Sequence, residues 1–162
     1  MSESKKWIEK LSLEAHPEGG FYKETYRSWE TGQFSGFEGT RNISTAIYFM
    51  LTKDNFSAFH KIKSDEMWHF YHGSAIVIYV IDLEGRLQKL LLGTDIEKGQ
   101  RPQHLVKAGC WFASRIEEEG DYALTGCTVA PGFDFRDFVM AERNQLVADY
   151  PAYKDLIKSL TR

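Results

Sequence analysis

The sequence predicts an all-β fold, a barrel or sandwich with a short helix at each end. Segments rich in β-branched and aromatic residues recur at intervals of roughly ten residues, separated by Gly, Pro, Asn, Asp and Ser. Helical spacing of apolar residues is confined to the two termini. With 162 residues the chain can close one hydrophobic core. It reads as one domain, 1–162, with a barrel core over about 20–140 and a helical segment over about 141–162.

Taken in order, "KKWIEKLSL" spaces Trp7, Ile8 and Leu11 along one face of a short helix. "HPEGG" then stops it, because proline fixes φ and a glycine pair permits a sharp turn. "FYKETYRS" is a strand, "GQFSGFEGTRN" a glycine-rich loop, and "ISTAIYFML" an apolar β run. "SAFHKIKS", "EMWHFYHG", "AIVIYVID" and "LQKLLLG" follow as strands, then "CWFASRI", "DYALTGCTVA" and "FDFRDFVM". "IEEEGD", between two of these, is a solvated turn. The ending, "AERNQLVADYPAYKDLIKSLTR", is helical, with Pro151 opening a last short helix.

Composition excludes several classes of function. Net charge is −3 and the basic residues are scattered, so no nucleic-acid partner is expected. No apolar run approaches the ~20 residues of a membrane-spanning helix, and the start carries no signal-peptide core. A cytoplasmic protein is expected, with Cys110 and Cys127 as buried free thiols. The aromatic share, 14%, supplies flat apolar walls for a small-molecule ligand.

The chemistry concentrates in "FHKIKSDEMWHFYHG", residues 59–73, which holds three of the five histidines. Strand alternation puts His60 and Ile62 on one face and Glu66, Trp68 and Phe70 on one face, with His69 and Tyr71 opposite unless a bulge intervenes. An imidazole and a carboxylate inside a barrel can share a divalent metal with further ligands, or move protons without one.

The spacing of His60, Ile62, Glu66 and Gly73 resembles the first motif of the cupin superfamily, with Ile62 where a second histidine is usual. "KAGCWF" resembles the second motif. Gly109 matches its glycine, Lys107 stands for its proline and Phe112 for its histidine. With "HPEGGFYKETYRS" and "APGFDFRDF", these blocks resemble a cupin subgroup of unassigned function, related in fold to dTDP-sugar epimerases. The resemblance implies a double-stranded β-helix and a homodimer. Of the superfamily's three histidines and one glutamate, only His60 and Glu66 remain, so no metal cofactor is expected; a metal, if held, would use those two.

The expected site is therefore an aromatic pocket with a polar pair. His60 and Glu66 are the catalytic candidates; by analogy with the metal-free epimerases His60 is the base and Glu66 tunes it. Strand parity offers Tyr48 with Ser44 and Met50, then Trp68, Phe70 and Phe112, as ligand walls, with Tyr48 or Arg27 as donor to an enolate oxygen. Asp137 is a further polar candidate, and "HPEGG" reads as a turn before a phosphate nest. Three activities compete: a metal-free isomerase or epimerase acting on a sugar-like or keto compound, a non-catalytic small-ligand module, and a metal-dependent oxygenase.

Overall fold

A computed structural model describes residues 1–117 and 119–162; Glu118, within the expected turn 116–121, lies outside them. Helix α1 (Glu3–Leu11) is capped by Ser2, whose hydroxyl accepts the Lys5 N–H. Strands β1 (Glu14–Ala15), β2 (Phe21–Arg27), β3 (Thr31–Gln33), β4 (Thr40–Asn42), β5 (Thr45–Thr52), β6 (Ser57–Lys61) and β7 (Asp65–Gly73) follow. The second half adds β8 (Ile76–Ile81), β9 (Leu87–Leu92), β10 (Gln103–Val106), β11 (Trp111–Ile116), β12 (Tyr122–Ala130) and β13 (Val139–Met140). Helices α2 (Arg143–Asp149) and α3 (Lys154–Ser159) close the chain, with a 3-10 turn at Pro151–Tyr153 between them.

Two antiparallel sheets enclose the interior. One runs β1-β2-β5-β12-β7-β10, the other β13-β6-β11-β8-β9, and β3 and β4 form a separate hairpin. Alternation along β8 shows how the layers divide. Ile76, Ile78 and Val80 join Phe49, Trp68 and Phe112 between the sheets. Val77, Tyr79 and Ile81 face outward and are covered by Leu146, Ile157 and Leu160 of the C-terminal helices. On the opposite sheet, α1 covers Met50, Tyr122 and Leu124. Three apolar layers thus stack around two sheets, and each fully buried large side chain contributes about 1.5–3 kcal/mol of burial. Among the described residues, no helix is long and apolar enough to cross a membrane.

Four expectations need correction. "GQFSGFEGTRN" is not only loop, since its ends pair as β3 and β4. The sequence pattern does not predict strand β10, which pairs with β7 from Gln103 opposite His69 to Val106 opposite Glu66. "FDFRDFVM" is a 3-10 turn at Phe135–Asp137 followed by the two-residue β13, not a strand. Its alternating Phe and charged residues imitate a strand's period, but the Asp134 carboxylate accepts the Arg136 N–H and starts a turn. The parity of β5 is also reversed: Thr45, Ile47 and Phe49 face the cavity, while Tyr48 and Met50 lie under α1. With both faces covered, the strand's apolar pattern carries no sign of which side is inside.

Candidate functional site

A cavity of about 390 Å³ opens between the two sheets. Its floor is Phe49, His60, Ile62, Glu66, Trp68 and Cys127. Its rim is Tyr22, Glu24 and Arg27 of β2, with Phe133, Asp134, Phe135 and Phe138 from the strap 131–138. The volume is near the lower end for small-molecule sites.

His16 and Glu18 reach this cavity because the chain doubles back at Gly19 and Gly20, with φ of +111° and +80°. A Cβ on Gly19 would stand 2.0 Å from the Phe56 carbonyl oxygen, so a larger residue would push the turn out of the barrel. The Gly19 N–H donates to the His16 carbonyl, and the Glu18 N–H to His16 Nδ1. Those amides are spent inside the turn, which makes "HPEGG" a device for burying Glu18 and not a phosphate nest. The Glu18 carbonyl accepts the Ala58 N–H, tying the turn to β6.

His60 lies opposite Phe112 in the β6–β11 ladder, beside a register slip over Ala58–Phe59. At that slip the Ala58 carbonyl accepts the His60 Nδ1–H at 2.7 Å. His60 Nε2 stands 2.7 Å from Glu18 Oε2. The carboxylate that orients His60 is therefore Glu18, correcting the expectation that Glu66 does so. Burial disfavours the imidazolium, but the Glu18 charge and hydrogen bond outweigh it and raise the His60 pKa. Burial likewise opposes ionisation of Glu18, yet the charge and hydrogen bond of His60 hold its pKa below the ordinary value. The two form a buried ion pair with both imidazole nitrogens engaged. His16, accepting at Nδ1, is neutral; burial lowers its pKa against the pull of Glu18.

Glu66 is different. It is 9% exposed, lines the cavity, and has no cationic side chain bonded to it. Burial, and next the Glu18 charge, push its pKa up to about 7, against the opposing effect of His60. The Trp68 indole lies beside it, but the indole N–H makes no hydrogen bond of good geometry. Cys127 also adjoins Glu66, and burial followed by the Glu66 charge pushes its thiol well above the usual range.

The remaining expected site residues scatter. Trp68 and Arg27 line the cavity. Phe112 is one layer behind, its ring 4.1 Å from that of His60, and Phe70 packs against the inter-sheet core. Tyr48 lies outside with Tyr71, which occupies a bulge where β7 slips against β12. Arg27 donates to Glu24, the Asn42 side chain and the Phe133 carbonyl, so it ties the strap to β2. Asp137 takes a bidentate pair from Arg41, at 2.7 and 2.8 Å, away from the cavity. His69 contacts Thr128, His72 contacts Tyr122, and His104 donates to the Leu91 carbonyl. Cys110 and Cys127 are free and buried.

The donor set does not fit a divalent metal. Among the described residues no three His, Cys, Asp or Glu side chains are grouped to hold one. His60 has committed both nitrogens to protein partners, and Ile62 and Phe112 put hydrocarbon where further ligands would stand.

Residues 5–141 match the family described as Cupin superfamily (DUF985). The chain belongs to that family. This cupin is 41% identical to protein SO0799 from Shewanella oneidensis, whose crystal structure superimposes with a TM-score of 0.90 over 100% of this chain and 99% of that one. A hypothetical protein from Leishmania major is 32% identical, with a TM-score of 0.93 over 99% of both chains. The uncharacterized protein YML079W of Saccharomyces cerevisiae is 34% identical over 80% of this chain and 71% of its own length. Oxalate decarboxylase from Bacillus subtilis shares the cupin fold alone: 14% identity and a TM-score of 0.57, over 90% of this chain and 36% of the decarboxylase.

Proposed function

We propose that this cupin is an isomerase or epimerase that moves a proton at the carbon next to a carbonyl group, without a metal ion. The observation that carries the reading is Glu66, a carboxyl on the cavity floor with no cationic partner, beside a buried imidazolium. A pKa of about 7 suits a group that must both take and return a proton near neutrality. The Glu66 carboxylate removes the proton, the C–H electron pair becomes an enolate, and the same carboxyl gives the proton back to the enolate carbon framework. His60 is held in place with its charge balanced by Glu18, so the site offers the developing oxyanion the fixed dipole of that pair and not a free cation. This reverses the roles expected from the sequence, because His60 has no free nitrogen to act as base. The sequence blocks resemble a cupin subgroup related in fold to metal-free sugar epimerases, which suggests the reaction class, and fold likeness alone does not set it.

The test is solvent deuterium uptake into a panel of small keto compounds and sugars, followed by proton NMR. Uptake by the native protein that falls by roughly 10²–10⁴-fold in Glu66→Gln supports the proposal. Uptake equal in both proteins contradicts it, and binding without uptake would identify a non-catalytic ligand module.

A further inference from the structure

The charges around the cavity point to the class of compound it takes; this step rests on reading the cavity as the ligand site. His60 is neutralised by Glu18. Arg27 is spread over Glu24, Asn42 and the Phe133 carbonyl. Asp134 is paired with Arg136 at 2.9 Å. No lysine lines the cavity, and Arg27 is its one arginine, among the described residues. A phosphate or carboxylate brought inside would lose its water and meet no free cation, with Glu18 and Glu66 close by.

Besides the His16 Nε2 and the Tyr22 hydroxyl elsewhere in the lining, two polar groups are left over on the cavity floor. One is the Glu66 carboxyl. The other is the Trp68 indole N–H, on a side chain 1% exposed, which lies beside the Glu66 carboxyl but makes no well-aligned hydrogen bond. A buried donor without a partner is costly unless something else accepts from it. Around these two groups stand the rings of Tyr22, Phe49, Phe133 and Phe138, which suit the C–H faces of an uncharged compound.

We propose that the cavity takes an uncharged polyhydroxy carbonyl compound, a free sugar or its keto isomer, whose carbonyl oxygen accepts from the Trp68 N–H, and that phosphorylated and carboxylated counterparts are rejected. Trp68 then acts as a specificity residue as well as a wall.

Calorimetry at pH 7 on the native protein tests this with matched probes: dihydroxyacetone and its phosphate, D-fructose and its 6-phosphate, and D-glucose with D-glucosamine. The expected result is binding of an uncharged member at least tenfold tighter than of its charged counterpart. Tighter binding of a phosphate ester, especially one lost in Arg27→Gln, would overturn the inference, as would tighter binding of the protonated amine or no binding of any uncharged probe. Trp68→Phe should weaken the bound sugar about five- to tenfold, the loss of one hydrogen bond. Because that variant also alters packing, the native indole N–H signal of Trp68 gives an independent readout. It should move downfield on saturation with the sugar, and an unmoved signal contradicts the role. Sugar binding without deuterium uptake would leave this inference standing and remove the proton-transfer reading. Uptake only into phosphorylated probes would do the reverse.

Discussion

Arg41–Asp137 and His60–Glu18 are both ion pairs withdrawn from water, with side chains 3–7% exposed. Arg41 meets Asp137 through two parallel hydrogen bonds and gives its Nη1 donors to the Glu38 and Thr40 carbonyls. That pair is closed: it fastens the strap 131–138 to β4 and has nothing left to offer a ligand. His60–Glu18 fills its own valences in the same way, but a third ionisable group, Glu66, sits beside it without a cation of its own. The comparison teaches that a buried charge pair does not by itself mark a site. The mark is the unpaired carboxyl that the pair leaves next to a cavity.

Breaking each pair should separate them. His60→Asn leaves Glu18 buried without its cation and should cost about 3–5 kcal/mol of stability. Asp137→Asn should lower Tm by roughly 10 °C. Their pH dependence should differ. The His60 pKa is raised, so its contribution is present below pH 6.5 and fades as pH climbs through the folded value; Glu18, lowered, contributes above pH 4.5 and fades as pH falls through its folded value. The His60→Asn penalty should therefore be greatest between those limits, whereas Arg41, its pKa raised above an already high value by Asp137, keeps its charge throughout, so the Asp137→Asn penalty should not follow that window. Urea denaturation at several pH values reads both. Parallel curves would mean that the two pairs are the same kind of structure. In His60→Asn the pKa of Glu66 should also rise further, since the one nearby charge that lowers it is gone.

A smaller effect, of opposite sign, is expected at Glu66 itself. Its folded pKa of about 7 is above the ordinary 4.5, so stability is highest below pH 4.5 and is lost as pH rises to about 7. Glu66→Gln should match the native protein near pH 5 and exceed it near pH 8 by up to about 3 kcal/mol, the free energy of that shift. A variant less stable at both pH values would show that the carboxylate is partnered after all. The smallest effect belongs to the outer histidines. His69→Asn, on the face away from the cavity, should change stability by no more than about 0.5 kcal/mol and leave deuterium uptake intact; a large loss of uptake would move the site to the wrong face of β7.

Much of the fold was legible because the strands are short, aromatic and regularly punctuated, and because helical spacing occurs only at the termini. The cavity floor was partly legible as well, since the spacing from His60 to Trp68 obeys strand alternation on β6 and β7. Tyr48 was misplaced because β5 is covered on both faces. Glu18 could be singled out but not paired. Its meeting with His60, 42 positions along the chain, depends on how the Gly19–Gly20 turn tucks under Phe56, a long-range fact that no local pattern encodes. Arg27 read as a ligand-binding cation because its partners, Asn42 and the Phe133 carbonyl, come from distant loops. The Asp134 turn did have a local signal, an Asp two residues ahead of an N–H it can accept, hidden by the stronger alternation of Phe133 and Phe135.

The most direct test is a carbon-13 NMR titration of the Glu66 side-chain carboxyl in the native protein, assigned by the signal missing from Glu66→Gln. The account predicts a midpoint near pH 7, about 7 against an ordinary 4.5. A midpoint at or below 4.5 would mean that Glu66 is a solvated or paired carboxylate, and the proton-transfer reading would have no base.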